Sequence, residues 1–335
     1  MKRDGVGQNP HENCHDEFFE FVPCDTCGIT GAPEYMRMAD RLYGVPGTFT
    51  IAKCQSCGLL FTNPRPNLNF IDSLYSNYYN GSVALLGPHN QSISERMKRN
   101  PFLRKTYHHV FGNYLGEVLS KARGRVLDIG CGLGTALDDL ARLGCEVLGI
   151  EPNPDAAKRC KERGLNVECA LVEDLNYPEN CFDTVILFHV IEHLASPKNI
   201  LQKIFHILKP SGHVFIWCPN AESYVAKFFG DSWAGWRLPF HLYHFTPKTM
   251  SAVIELTCFE IVKLKARTSD LVLHDSVMAF LRHKRKDVKW DKYLPLMRSF
   301  YFRLLTMLLF RPLDMLLPGK GEFLQVELRK PTRGL

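Results

Sequence analysis

The chain has 335 residues, enough for one large core or for a main domain with a smaller attachment. Its share of hydrophobic residues, 45%, and of charged residues, 23%, is that of a globular protein and excludes a collagen-like or charge-dominated disordered chain. The net charge of +6 is spread without a long basic block and gives no strong nucleic-acid signal.

Residues 1–20 are polar, lack an apolar core of signal-peptide length and read as a loose tail, an expectation that goes with a cytoplasmic location. In that reducing compartment the 12 cysteines do not form a disulfide framework. Clustered cysteines then read as metal ligands and scattered ones as small buried hydrophobes. Residues 21–65 carry two C-x2-C pairs, Cys24/Cys27 and Cys54/Cys57, with 26 residues between them. Four thiolates suit a closed tetrahedral site, so the expected ion is a structural Zn2+ that supplies folding energy to a module too small to hold a core alone.

Asn63-Pro-Arg-Pro66 interrupts any helix or strand, and residues 66–123 read as a helical linker. Within it a Tyr-rich helix is expected over 70–80, a Gly/Pro loop over 82–90, and a helical pattern over 92–121. From residue 124 onward short apolar strands alternate with helices. Strands are expected over 125–129, 146–150, 166–169, 182–189 and 213–218, and helices over 135–143, 155–163 and 197–208. Such alternation predicts an α/β fold with a mostly parallel sheet and helices on both faces. An aromatic insertion follows over about 222–245, then a helix over 246–256, a strand over 260–266, an apolar segment with basic residues over 293–317, and an edge-type strand over 322–329.

The central motif is Val126-Leu-Asp-Ile-Gly-Cys-Gly-Leu-Gly-Thr135. A buried strand ends in three spaced glycines and leads into a helix, whose first amides favour a carboxylate or phosphate. Glu151 closes the next strand, where a carboxylate can accept from two ribose hydroxyls. A nicotinamide-dependent oxidoreductase also uses a glycine bend and a later acid. Its usual G-x-G-x-x-G/A is not met, because Thr135 stands at the third position.

This ordered set resembles the class I S-adenosylmethionine-dependent methyltransferases, with a Rossmann-like sheet, over about 125–220. The resemblance implies S-adenosylmethionine as cofactor. Gly130, Cys131 and Gly132 would lie against its methionine part with Asp128 nearby, Gly134 would belong to the same cofactor-binding loop, and Glu151 would hold the ribose. In the adenine loop, 171–175, Val172 would contact the ring, with Leu171 where many relatives have Asp, and Phe188 and His189 would face the methyl end. Together with the cysteine module, the Asn-Pro-Arg-Pro segment and Trp233-Ala-Gly-Trp-Arg-Leu-Pro-Phe-His241, the whole chain resembles bacterial methyltransferases of glycan and secondary-metabolite pathways. The acceptor implied is a small molecule or glycan-like. A catalytically inactive cofactor-binding subunit fits the same motifs.

Two clusters stand where chemistry is expected. His189, Glu192 and His193 would share one face of a helical turn, placed to orient or deprotonate substrate, to bind a metal, or to serve as a structural cap. Trp233, Trp236, His241, Tyr243 and His244 lie in the aromatic insertion, which reads as an acceptor pocket or a packed lid, with His241 the expected general base. Residues 293–317 suit burial against the main domain or a second subunit. They suit peripheral contact with the inner face of a membrane as well.

Overall fold

The computed structural model describes residues 18–79, 115–284, 293–297 and 299–332. The expected tail up to residue 17, the 82–90 loop and the first part of the 92–121 helical pattern lie outside them. Phe19 and Glu20, which the expected tail includes, form a short strand, β1, paired with β5 at Arg65–Pro66.

Cys24 and Cys27 lie in a turn ahead of an antiparallel sheet of β2 (Glu34–Ala39), β3 (Thr48–Lys53) and β4 (Leu60–Thr62), and Cys54 and Cys57 lie in its β3–β4 turn. After the Asn-Pro-Arg-Pro break, α1 (Leu68–Leu74) runs on into a π-helical turn over Tyr75–Tyr79, and α2 (Leu115–Lys121) leads into the main sheet.

Among the described residues that sheet has seven strands. β6 (Arg125–Ile129), α3 (Thr135–Arg142), β7 (Glu146–Ile150), α4 (Pro154–Glu162) and β8 (Val167–Glu168) form its first half. β9 (Phe182–Phe188), α5 (Pro197–Ile207) and β10 (Leu208–Pro219) follow. The strand order is β12-β13-β10-β9-β6-β7-β8, parallel from β10 to β8. The central strands are continuous apolar runs because both faces are covered; Val126, Leu127, Val185, Ile186 and Leu187 are fully buried. Helix starts are set locally: Asn153 and Ser196 accept from the amides of Ala156 and Asn199, with proline at the next position.

After β10 the chain leaves the sheet. It forms α6 (Tyr224–Phe229), crosses the aromatic insertion, and returns as β11 (Tyr243–His244), which pairs with β4 of the cysteine module. The insertion therefore joins the two sheets. α7 (Pro247–Ile254), β12 (Glu260–Arg267) and a helical lobe of α8 (Asp270–Lys284), α9 (Leu294–Met297) and α10 (Phe300–Leu316) precede β13 (Phe323–Arg329).

β13 corrects the sequence expectation of an edge strand. It lies between β12 and β10, antiparallel to both. Its polar positions are buried all the same: Glu327 pairs with Lys121 at 2.5 Å and with His213 at 3.0 Å. β12, with exposed Ile261 and Val262, takes the edge. The cysteine module also lacks a core of its own, since Cys24, Ala52, Cys54, Leu59 and Phe61 belong to the main core.

Candidate active site

The glycine bend is a closed turn. The amides of Gly130 and Cys131 both donate to the Ile150 carbonyl, at 2.8 and 3.0 Å, and tie the end of β6 to the end of β7. The Gly132 amide donates to Glu151 Oε2 at 2.8 Å, and the Asn153 amide to Oε1 at 2.9 Å. Each oxygen keeps a lone pair for an outside donor. The three glycines do different work. A side chain at Gly130 would strike Val190 at 2.5 Å, and one at Gly134 would strike Leu165 at 2.5 Å. At Gly132 (φ 54°) the space where a side chain would stand is open, leaving room for a ligand against the backbone.

Burial raises the Glu151 carboxyl, against the two amides that lower it. Asp128, beneath the bend, is pushed up to about 7, first by complete burial and then by the negative charge of Glu151. A cationic ligand would relieve both carboxylates at once. The Cys131 side chain turns away from the bend into a small core with Leu137, Ala157, Cys160 and Val167. Beside Glu151, at the C-terminal ends of β7 and β8, lies a cavity of about 170 Å3. Ile150, Leu171, Asp174 and Leu175 line it, whereas Val172 packs into the main core.

Across the same edge of the sheet, His189 follows β9. Its φ of 58° is left-handed, a conformation a non-glycine residue holds only when its surroundings fix it. The Trp217 carbonyl fixes it by accepting from the His189 amide at 2.8 Å. The helical face expected for His189, Glu192 and His193 is thus corrected, because only Ile191–His193 form a turn, of 3-10 type. The side chains still converge. His189 Nδ1 lies 3.5 Å and His241 Nε2 4.0 Å from Glu192 Oε1, and the His193 and His241 rings stand edge to face at 4.6 Å. Neither carboxylate oxygen of Glu192, which is 1% exposed, meets a hydrogen-bond donor among the described residues.

The carbonyls of Gly235 and Phe240 lie 2.8 Å from His241 Nδ1 and 3.0 Å from His193 Nδ1. A carbonyl only accepts, so in the neutral rings these nitrogens hold the proton and each Nε2 is left with its lone pair. Burial lowers both histidines below the usual value, His241 furthest, with the positive charges of His193 and Arg237 adding to it. Tyr75, whose hydroxyl lies 2.8 Å from His193 Nδ1, was not legible as a site residue: only the long-range packing of the π-helical turn brings it here. His244 sits apart, its ring edge-on to Trp236 and its pKa lowered by burial to about 3. Phe188 packs edge-to-face on Trp217 at 6.0 Å.

His241 is held from both sides. Its own carbonyl accepts from Thr62 Oγ1 at 2.8 Å, and the next amide, Leu242, donates to the Glu192 carbonyl at 2.8 Å. In the module, Cys24 and Cys57 sulfurs are 3.5 Å apart and those of Cys27 and Cys54 3.3 Å. All four lie within 4.8 Å of one another. A tetrahedral zinc with its usual thiolate bonds would set such sulfurs about 3.8 Å apart, so the four residues fit the ion.

The description "Methyltransferase domain" matches residues 96–264, half of the chain. The chain belongs to this methyltransferase-domain family. The glycine bend, the cavity and the histidine cluster all fall within the matched part. Ubiquinone biosynthesis O-methyltransferase of Rattus norvegicus is 34% identical over 144 residues, 38% of this chain and 40% of that one. The protein of the same name from Xanthomonas euvesicatoria pv. vesicatoria is 36% identical over 110 residues, 31% and 46%. The methyltransferase-family chain thus spans less than half the length of these curated relatives. An Archaeoglobus fulgidus SAM-dependent methyltransferase structure shares 22% identity at TM-score 0.43, covering 72% of this chain and all of that one, 100%.

The raised Asp128 makes folding stability fall as pH rises. The folded state holds a proton that the unfolded chain has released above about pH 4, so stability is full below that and is lost up to about pH 7. Asp128→Asn should remove this component. Its stability relative to the parent should rise on the order of 2 kcal/mol between pH 4.5 and 7.5, as read by urea unfolding at each pH. A difference independent of pH would show that Asp128 is ionised in the folded protein.

Proposed function

We propose that this protein is an S-adenosylmethionine-dependent methyltransferase that methylates a hydroxyl of a small-molecule or glycan-like acceptor. The observation that carries the reading is Glu151, a buried carboxylate fastened under an open glycine, beside a cavity at the strand ends and within a matched methyltransferase domain. When bound, the cofactor supplies an electrophilic methyl group on a sulfonium. The chain's own part is to bind and align: Glu151 accepts from ribose hydroxyls, and Gly132 lets the methionine part approach the backbone. Asp128 and Glu151 provide negative charge, and positioning supplies most of the rate. The name of the relatives, O-methyltransferase, supports oxygen as the acceptor atom.

In this reading His241 Nε2, unprotonated and turned inward, takes the acceptor proton, and Glu192 stabilises the imidazolium that results. His193 and His189 orient the acceptor beside them. With His241 lowered by burial, the base should remain competent below the usual histidine range. Methyl transfer from labelled cofactor to sugar-nucleotide and phenolic acceptors tests the proposal. His241→Ala should reduce kcat by about 10²–10⁴-fold and leave cofactor affinity within about twofold. An unchanged kcat would remove His241 from catalysis, and cofactor binding without transfer to any acceptor would support the inactive-subunit reading.

We also propose that Cys24, Cys27, Cys54 and Cys57 hold a structural zinc. Burial works to raise Cys54, but the amides of Cys57 and Ser56 and the Cys27 thiol outweigh it and bring it to about 7. The knuckle Asp25 accepts from Ser196 Oγ at 2.5 Å and from the Lys198 amide at 2.9 Å, so the module caps α5. Metal loss should therefore be felt beyond the module. Purified protein should contain one zinc per chain by mass spectrometry, and a chelator should lower Tm by several degrees and kcat more than cofactor affinity. Zinc-free protein with unchanged Tm and kcat would contradict this.

A further inference from the structure

The lobe between β12 and β13 has an unusual outer surface. On α10 the buried side is made by Thr306 and Met307, and Phe310 stacks on Tyr224 of α6. The opposite side is apolar too. Leu305, Leu308, Leu309, Met315 and Leu316 recur at helical spacing and are 54–86% exposed. Phe228, one turn beyond Tyr224 on α6, is 77% exposed. A run of large apolar side chains turned to solvent marks an interaction surface.

Charge indicates what covers it. Two acids of the lobe are already engaged: Asp314 accepts from the Thr268 amide at 2.8 Å, and the part-exposed Asp275 pairs with Arg237 at 3.4 Å. Cations stand outside, at Lys227 beside Phe228 and at Arg282 and Lys284 at the end of α8. α8 and α6 meet there, through Phe280 on Phe229 at 5.8 Å, with Lys284 over the Phe280 ring. A symmetric second copy would set these like charges against each other, whereas an anionic headgroup layer would neutralise them above a buried apolar helix. No helix among the described residues is long and apolar enough to cross a membrane.

We propose that the outward face of α10, with Phe228 and the flanking cations, docks on the surface of an anionic lipid bilayer. The helix lies in the interface plane, its leucines among the acyl chains, with Lys227 of α6 and Lys284 of α8 at the phosphates. Neither the cofactor nor the histidine cluster enters this proposal.

Flotation of the full chain on vesicles tests it. The protein should float with phosphatidylcholine containing phosphatidylglycerol, at roughly three to one, and not with phosphatidylcholine alone. Lys284→Glu should weaken binding by about fivefold or more, and Leu309→Glu or the milder Leu309→Gln by about tenfold, with circular dichroism unchanged. Three results would overturn the proposal. They are absence of binding to the mixed vesicles, binding untouched by these variants, and a lipid-free dimer by sedimentation that Leu309→Glu turns into a monomer.

Discussion

The contact between the Gly132 amide and the Glu151 carboxylate is the constraint on which this end of the sheet, the proposed cofactor edge, depends. It fastens the bend after β6 to the residue after β7, and it keeps a charge buried where nothing but hydrogen bonds holds it. A buried carboxylate beside a second one, Asp128, is unfavourable in the free protein, as the raised pKa of both shows. The arrangement becomes favourable only when positive charge arrives. Folding stability is thus given up at the place where a cationic ligand recovers it, which is the usual relation between strain and function.

The acceptor side depends on a different constraint, the return of the chain from β10 to the cysteine module. By pairing on β4, β11 sets His241 between Thr62 and Glu192, so that residues far apart in sequence share one buried cluster. Arg65 and Tyr243 both donate to the Ala195 carbonyl, at 2.7 and 3.1 Å, and clamp the segment just after His193 from the same side. The module is part of the wall of the site. It supplies rigidity that a glycine- and turn-rich loop could not supply alone.

The strand, glycine bend and helix of the first half of the sheet were legible in the sequence because their signals are local. Apolar runs, glycine spacing and the acid at a strand end each lie within a few residues, and Gly130, Gly132 and Glu151 stand where the pattern puts them. β13 misled because alternation of Gln325 and Glu327 with apolar residues looks like one wet face, while Lys121 and His213 satisfy Glu327 from other elements. Tyr75, the left-handed backbone of His189 and the pairing of β11 with β4 depend on contacts across the whole chain, which no local period encodes. Val172 and Cys131 show a finer limit. Both side chains pack into the cores beneath the bend and the loop beside it, a placement that their apolar character alone did not reveal.

The central claim is that the bend and its two carboxylates form an adenosyl-sulfonium site. Titration calorimetry with S-adenosylhomocysteine and S-adenosylmethionine measures this directly. The account predicts one site per chain with micromolar affinity for both. It also predicts proton release near pH 7 on binding the sulfonium, seen as heats that differ between buffers of different ionisation enthalpy, because the added positive charge lowers Asp128 from about 7. Failure of the folded protein to retain either molecule at about millimolar concentration, a standard binding free energy weaker than about −4 kcal/mol, would contradict it.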